Sequence, residues 1–193
     1  ILFGRKGKTK HLDGTFYYPK HGIGTISDKL SDACGKDNIY TSSTITKIFH
    51  NGNRITKVQI NNKNNVEVDV LINTTPLVQF VTMMEPSPPK KIVKLVKSLT
   101  FRDIDIVIFL LNKASATESA TIHFPNLNIP FTRIYEPRNR SKKMSPKGKT
   151  SVVVEFPHSN SEILNNTDII NIAKKELTHI GMFEEKDIIS THV

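Results

Sequence analysis

The chain has a single cysteine, Cys34, which excludes an intramolecular disulfide and any cysteine-based zinc cluster. Cys34 falls in phase with Ile26, Leu30 and Ala33, so the spacing predicts one apolar helix face with Cys34 as a small core residue. No apolar run approaches the roughly 20 residues that cross a bilayer; the nearest, residues 104–111, has Asp105 inside it. The seven histidines show no HExxH and no paired ligand spacing, so no metal site is expected. A G-x-S-x-G elbow, a P-loop and a G-x-G-x-x-G fingerprint are also missing. The carboxylates are dispersed, and no acid/base pair or other catalytic residue can be named.

What is present suits a globular protein. With 193 residues, 37% of them hydrophobic, the chain can bury a core as one large domain or two small ones. The formal charge of +9 suits phosphate-rich partners. Lysines outnumber arginines 21 to 6, however, and the basic clusters at 5–10, 90–97 and 138–149 lack interleaved aromatics for base stacking. No nucleic-acid partner is expected. The sequence starts with Ile in a basic loop, shows no apolar stretch after its first charges, and ends in a strand-like run at 188–193. The expectation is an interior fragment of a cytoplasmic protein, and the sequons at Asn73, Asn139 and Asn165 are read as chance in an Asn-rich chain.

Along the chain, Phe16, Tyr17 and Tyr18 read as an aromatic strand that ends in a turn at Gly22 and Gly24 and opens onto a helix reaching Gly35. Thr25 and Asp28 are spaced as a capping box, and free N–H groups at the turn would face a ligand. Runs at 38–49, 54–61 and 66–73 predict an antiparallel meander, with Asn51-Gly52 as a hairpin turn and a polar turn at 62–65. The third run becomes wholly apolar around Leu71, which suggests burial on both faces. It stops at Thr74-Thr75-Pro76, whose hydroxyls can cap the short segment 77–83 or donate to a phosphate.

The proline cluster at 85–89 is the best candidate boundary. After it, residues 90–99 form an amphipathic basic helix, in which a peripheral contact with an anionic membrane competes with the commoner core-facing role. Runs at 103–112, 120–124, 131–135 and 151–156 predict a second sheet. The loop 136–149, with six cations and no hydrophobic period, reads as exposed and mobile. A helix is predicted over 167–180, stopped by Gly181. In the 131–135 run, alternation places Phe131, Arg133 and Tyr135 on one face; Arg133 would hold an anionic substrate or a carboxylate such as Glu136 or Glu155.

Several of these segments follow one another as in a known family. The aromatic-Tyr-Pro-x-x-Gly-x-Gly opening at 16–30, the Ser/Thr-x-Ile-x-x-Ile strand at 44–48, the run from Val70 to Leu77, and Pro-Phe-x-Arg-Ile-x-Glu-Pro at 130–137 resemble the FAD-dependent amine-oxidase superfamily. The resemblance is to protoporphyrinogen-oxidase-like flavoproteins, and UDP-galactopyranose mutases carry comparable segments. It implies an α+β chain: an antiparallel meander from an FAD-binding domain (1–85), a mixed-sheet substrate domain roofing the isoalloxazine (86–160), and a return segment (161–193).

By position, the resemblance places the backbone of Ile45 against the adenine of FAD, with Thr74, Thr75 and Pro76 beside the cofactor. It places Gly22 and Gly24 near flavin or substrate, and Arg133 on the substrate side. The implied parent is an FAD-dependent oxidoreductase acting on a small or cyclic substrate. Its Rossmann fingerprint lies outside these residues, so this piece alone is expected to be inactive. A mutase of UDP-galactopyranose type, or a non-enzymatic basic module for nucleic acid or anionic lipid, are the alternatives.

Overall fold

A computed structural model describes residues 17–126, 128–159 and 165–193. In chain order its first elements are α1 (Gly24–Cys34), β1 (Ile45–His50), β2 (Ile55–Ile60), β3 (Asn64–Glu67), α2 (Leu77–Thr82), β4 (Met84–Glu85) and α3 (Lys90–Lys97). They are followed by β5 (Asp103–Leu111), β6 (Thr121–His123), β7 (Arg133–Tyr135), β8 (Thr150–His158), α4 (Asn166–His179) and β9 (Ile188–His192). Two compact units result: Cys34–Phe101, and the described residues up to Ala33 together with Arg102–Val193. The chain passes from one unit to the other after Ala33 and back after Phe101, so α3 stays with the meander.

In the Cys34–Phe101 unit, β1, β2 and β3 form the predicted antiparallel meander, and β4 adds a parallel pair at Ile48 and Phe49, giving the order β3-β2-β1-β4. Local chemistry fixes both turns. Asn51 Oδ1 accepts from the backbone N–H groups of Asn53 and Arg54 while Gly52 takes φ +99°. At the second turn Asn61 and Asn62 both sit at left-handed φ, a conformation asparagine tolerates, and Asn61 Oδ1 accepts from Thr44 N–H at 2.9 Å. Ile48, Val58, Val81 and Val96 are buried.

The third run is shorter than its pattern suggests. β3 ends at Glu67, and beyond it Val70 and Ile72 are 80% and 84% exposed, not buried on both faces. Val68 N–H still donates to Thr56 C=O of β2, but past it no described strand pairs with this segment, so its apolar side chains have no layer to enter among the described residues.

The other unit is built on an antiparallel sheet of order β6-β7-β8-β5-β9. One face carries Val107, Phe109, Leu111, Val152, Val154, Phe156 and Ile134, and α4 covers it with Ile169, Ala173 and Leu177. Phe109, Phe131 and Phe183 are fully buried in this core, each worth about 1.5–3 kcal/mol of transfer free energy. The predicted final helix is α4 within a residue at each end; Asn165 caps it by accepting from Asp168 N–H at 3.0 Å, and Gly181 ends it at φ +74°.

Three expectations are corrected here. Thr25 is already helical in α1 and does not cap it. No α1 residue is buried: Ile26 and Leu30 are exposed, as is Ile23 just before the helix, and Cys34 is an exposed free thiol, not a core residue. The 136–149 loop is an ordered construction with 3-10 turns at Pro137–Asn139 and Lys142–Met144, because the fully buried Glu136 anchors it. The basic cluster at 5–10 and Phe16 lie outside the described residues, and Tyr17 and Tyr18 are not in a strand.

Candidate functional site

The glycine turn and the basic loop meet, although more than a hundred residues separate them in sequence. Gly22 N–H donates to Pro19 C=O at 3.0 Å, and Thr25 N–H donates to Gly22 C=O, so the chain turns straight into α1. Gly22 is buried at φ +96°, and a Cβ there would stand 2.9 Å from Met144 Sδ. Ser141 Oγ donates to Lys20 C=O at 2.7 Å. The Arg140 guanidinium lies 5.8 Å from the Tyr18 ring and 5.4 Å from the Tyr135 ring, within cation-π range of both. Gly24 is the first residue of α1, with open space where a Cβ would be.

Arg133 is engaged by a carboxylate. Its Nε donates to Glu155 Oε2 at 2.8 Å and its Nη2 to Glu155 Oε1 at 2.6 Å, the fork geometry that suits a guanidinium. Direct cross-strand pairing of the two residues in β7 and β8 sets this contact. The hydrogen bond to Glu155 is the main cause of a raised Arg133 pKa, with burial opposing it. Burial, then the Glu155 charge, raises the Tyr135 pKa. Arg133 and Tyr135 share a face, with the guanidinium 6.0 Å from the ring, but Phe131 does not join them. It precedes β7 and turns into the core against Phe124 and Phe156. On this face of the sheet Ile104 and Ile106 are exposed.

Glu136, which the sequence offered as a partner for Arg133, has a different role: it holds a loop. Its Oε2 accepts from Ala116 N–H at 3.0 Å and Thr117 N–H at 2.8 Å, and its Oε1 accepts from Thr150 Oγ at 2.5 Å. Asn139 Nδ2 donates to the carbonyls of Thr117 and Ser119. Together they clamp the 115–119 loop to the 137–142 loop. The two loops wall a groove of about 560 Å³ that includes Arg138, Arg140 and Lys142.

The remaining candidates lie in the Cys34–Phe101 unit. Asn73 Oδ1 accepts from Thr75 N–H at 3.1 Å and Thr75 Oγ at 2.6 Å, and Asn73 Nδ2 donates to Thr75 C=O, which fixes the Thr74-Thr75-Pro76 turn ahead of α2. The sequons at Asn73, Asn139 and Asn165 thus coincide with three asparagines whose side chains shape turns or caps. Ile45 opens β1; because β4 pairs only with Ile48 and Phe49, the β4 side of the strand is open at Ile45 among the described residues. Among the described residues no helix is long and apolar enough to cross a membrane.

Solved structures with this fold include a reduced UDP-galactopyranose mutase, with a TM-score of 0.78 and 17% identity over 91% of this chain and 39% of that one. A putrescine oxidase redesigned in its cofactor binding has a TM-score of 0.66 at 14% identity, over 90% of this chain and 38% of its own. An oxidoreductase from Methanosarcina mazei has a TM-score of 0.62 at 15% identity, over 90% and 42%. The chain therefore spans about 40% of the length of these proteins. No protein of curated function matches it in sequence. The sequence model of one family does match, over residues 40–179, and on that match the chain belongs to the UDP-galactopyranose mutase family.

Proposed function

We propose that the whole protein is an FAD-dependent oxidoreductase that takes a hydride from a small or cyclic substrate. The fold shared with a putrescine oxidase and an oxidoreductase, together with the family match across both compact units, supports this reading. The residues present suit one part of the cofactor. Ile45 offers main-chain groups on an unpaired strand edge, and the exposed Val70 and Ile72 lead into the turn that Asn73 fixes at Thr74 and Thr75. A flat heteroaromatic ring such as adenine needs stacking surface and a few directed hydrogen bonds, and this unit offers both an open strand edge and exposed apolar side chains.

FAD, when bound, supplies the two-electron acceptor. The chain's own contribution is positioning. The face of the second sheet that carries Arg133 and Tyr135 with Ile104 and Ile106 offers an apolar surface with one oriented ion pair. Glu155 occupies Nε and Nη2 of Arg133, so the guanidinium meets a substrate with its remaining donors and with its charge already paired. Gly22 and Gly24 keep side chains away from the turn beside that sheet.

A second reading, a mutase acting on UDP-galactopyranose, is favoured by the family description itself. The experiment is anaerobic titration of the FAD-loaded whole protein with candidate substrates. Net bleaching of the flavin by a substrate that is converted to an oxidised product supports the oxidoreductase. Turnover of a nucleotide sugar with no net loss of electrons supports the mutase.

A further inference from the structure

We propose that α3 is a docking face for an anionic lipid surface, lying in the plane of the membrane interface. The helix packs against α2 with Val96 buried and Val93 half-buried. That seam leaves Ile92, Leu95 and Leu99 uncovered, at 42%, 63% and 45% exposure. Ile92 and Leu95 stand about one turn apart on a single stripe, and Leu99 continues it past the αR cap at Ser98. The result is an apolar ridge beside the valine seam. Lys90, Lys91, Lys94 and Lys97 fill the rest of the circumference, on the side of the ridge away from the valines.

The charge around the ridge decides what covers it. No acidic residue occurs between Glu85 and Asp103, and among the described residues none of the four lysines has an ion pair. A purely apolar partner would leave four ammonium groups unanswered at its border. An acidic polypeptide would pair them and leave the ridge in water. An anionic bilayer surface meets both demands at once, since its headgroups take the charges and the acyl boundary beneath takes the ridge. Lysine suits this arrangement, because its long stem runs along apolar surface while the ammonium reaches the headgroup layer. At 8 residues α3 is far too short to cross a bilayer, so the contact is peripheral. This proposal does not depend on the flavin reading, since no α3 residue is assigned to the cofactor.

The test is co-sedimentation of the whole protein with vesicles of phosphatidylcholine alone or of phosphatidylcholine and phosphatidylglycerol in equal parts. Binding is expected to the mixed vesicles only, and to weaken as salt is added. K91Q/K94Q/K97Q should weaken it by roughly tenfold or more, and L95Q/L99Q by roughly fivefold or more, with thermal midpoints kept because all five side chains are exposed. K143Q/K147Q/K149Q, which removes the same charge from the 136–149 loop, should bind as the parent does. The emission of Leu95→Trp, read as the difference from the parent, should shift to the blue when the mixed vesicles are added. No binding by the parent, undiminished binding by either α3 variant, or an equal loss in the loop variant would each overturn the proposal. So would a Leu95→Trp emission that is already blue and does not move, the sign that another part of the whole protein covers the ridge. Binding of soluble poly-glutamate by a protein that ignores the mixed vesicles would assign α3 to an acidic polypeptide instead.

Discussion

Met144 Sδ lies 2.9 Å from the point where a side chain on Gly22 would begin, and Gly22 itself stands at φ +96°. The methionine end is flexible and can swing aside, but the backbone angle cannot relax without breaking the turn into α1. Gly22→Ala is therefore expected to cost about 1–2 kcal/mol. Adding Met144→Ala should not restore the loss. Denaturant unfolding of the two variants checks this, and full rescue by Met144→Ala would move the cause from the dihedral to the contact.

The Arg133–Glu155 pair predicts an asymmetry. The Glu155 side chain is 11% exposed and that of Arg133 42%, so losing the guanidinium strands the more buried charge. Arg133→Gln is expected to destabilise by about 3 kcal/mol and Glu155→Gln by about 1 kcal/mol, because the freed guanidinium can be hydrated. Thermal unfolding of both variants with the double mutant gives the comparison.

Glu136→Gln replaces an acceptor-only carboxylate by a group with one accepting oxygen. The Ala116 and Thr117 amides can keep the remaining oxygen, but their bonds lose the charge that strengthens them and Thr150 Oγ must turn from donor to acceptor of the new Nε2–H, at an expected cost of about 1 kcal/mol. Faster amide hydrogen exchange at Ala116 and Thr117 is the specific sign that the 115–119 loop has come loose.

Much of this architecture is legible in the residues. The hydrophobic period of α4 and its Gly181 stop, the Asn-rich turns of the meander and the strands of the second sheet all follow from local pattern. The failures have two causes. Ile26, Leu30, Cys34, Val70 and Ile72 have the pattern of buried residues, yet they are exposed here. Periodicity records that an apolar face exists and not what covers it. The 136–149 loop failed for the opposite reason: its order comes from one buried carboxylate bonding residues about twenty positions away, a contact that no local composition reveals. Of the candidate site, Gly22 and its neighbours were legible as a turn, whereas its docking on Ser141 and Met144 was not.

Tyr135 gives a pH prediction. Its pKa is raised, so the folded chain holds the phenolic proton more tightly than the unfolded chain does. That contribution is complete below the unfolded tyrosine value of about 10 and is lost as pH rises through the higher folded value. Ultraviolet titration should show a phenolate component above the ordinary range that Tyr135→Phe removes, and alkaline destabilisation should be milder in that variant.

The most direct measurement of the central claim is the flavin content of the purified whole protein after incubation with FAD and removal of the excess. Close to one FAD per chain, released on denaturation and diminished when Thr74 and Thr75 are both replaced by bulky residues, is the expected result. A correctly folded whole protein that retains no flavin would contradict the account.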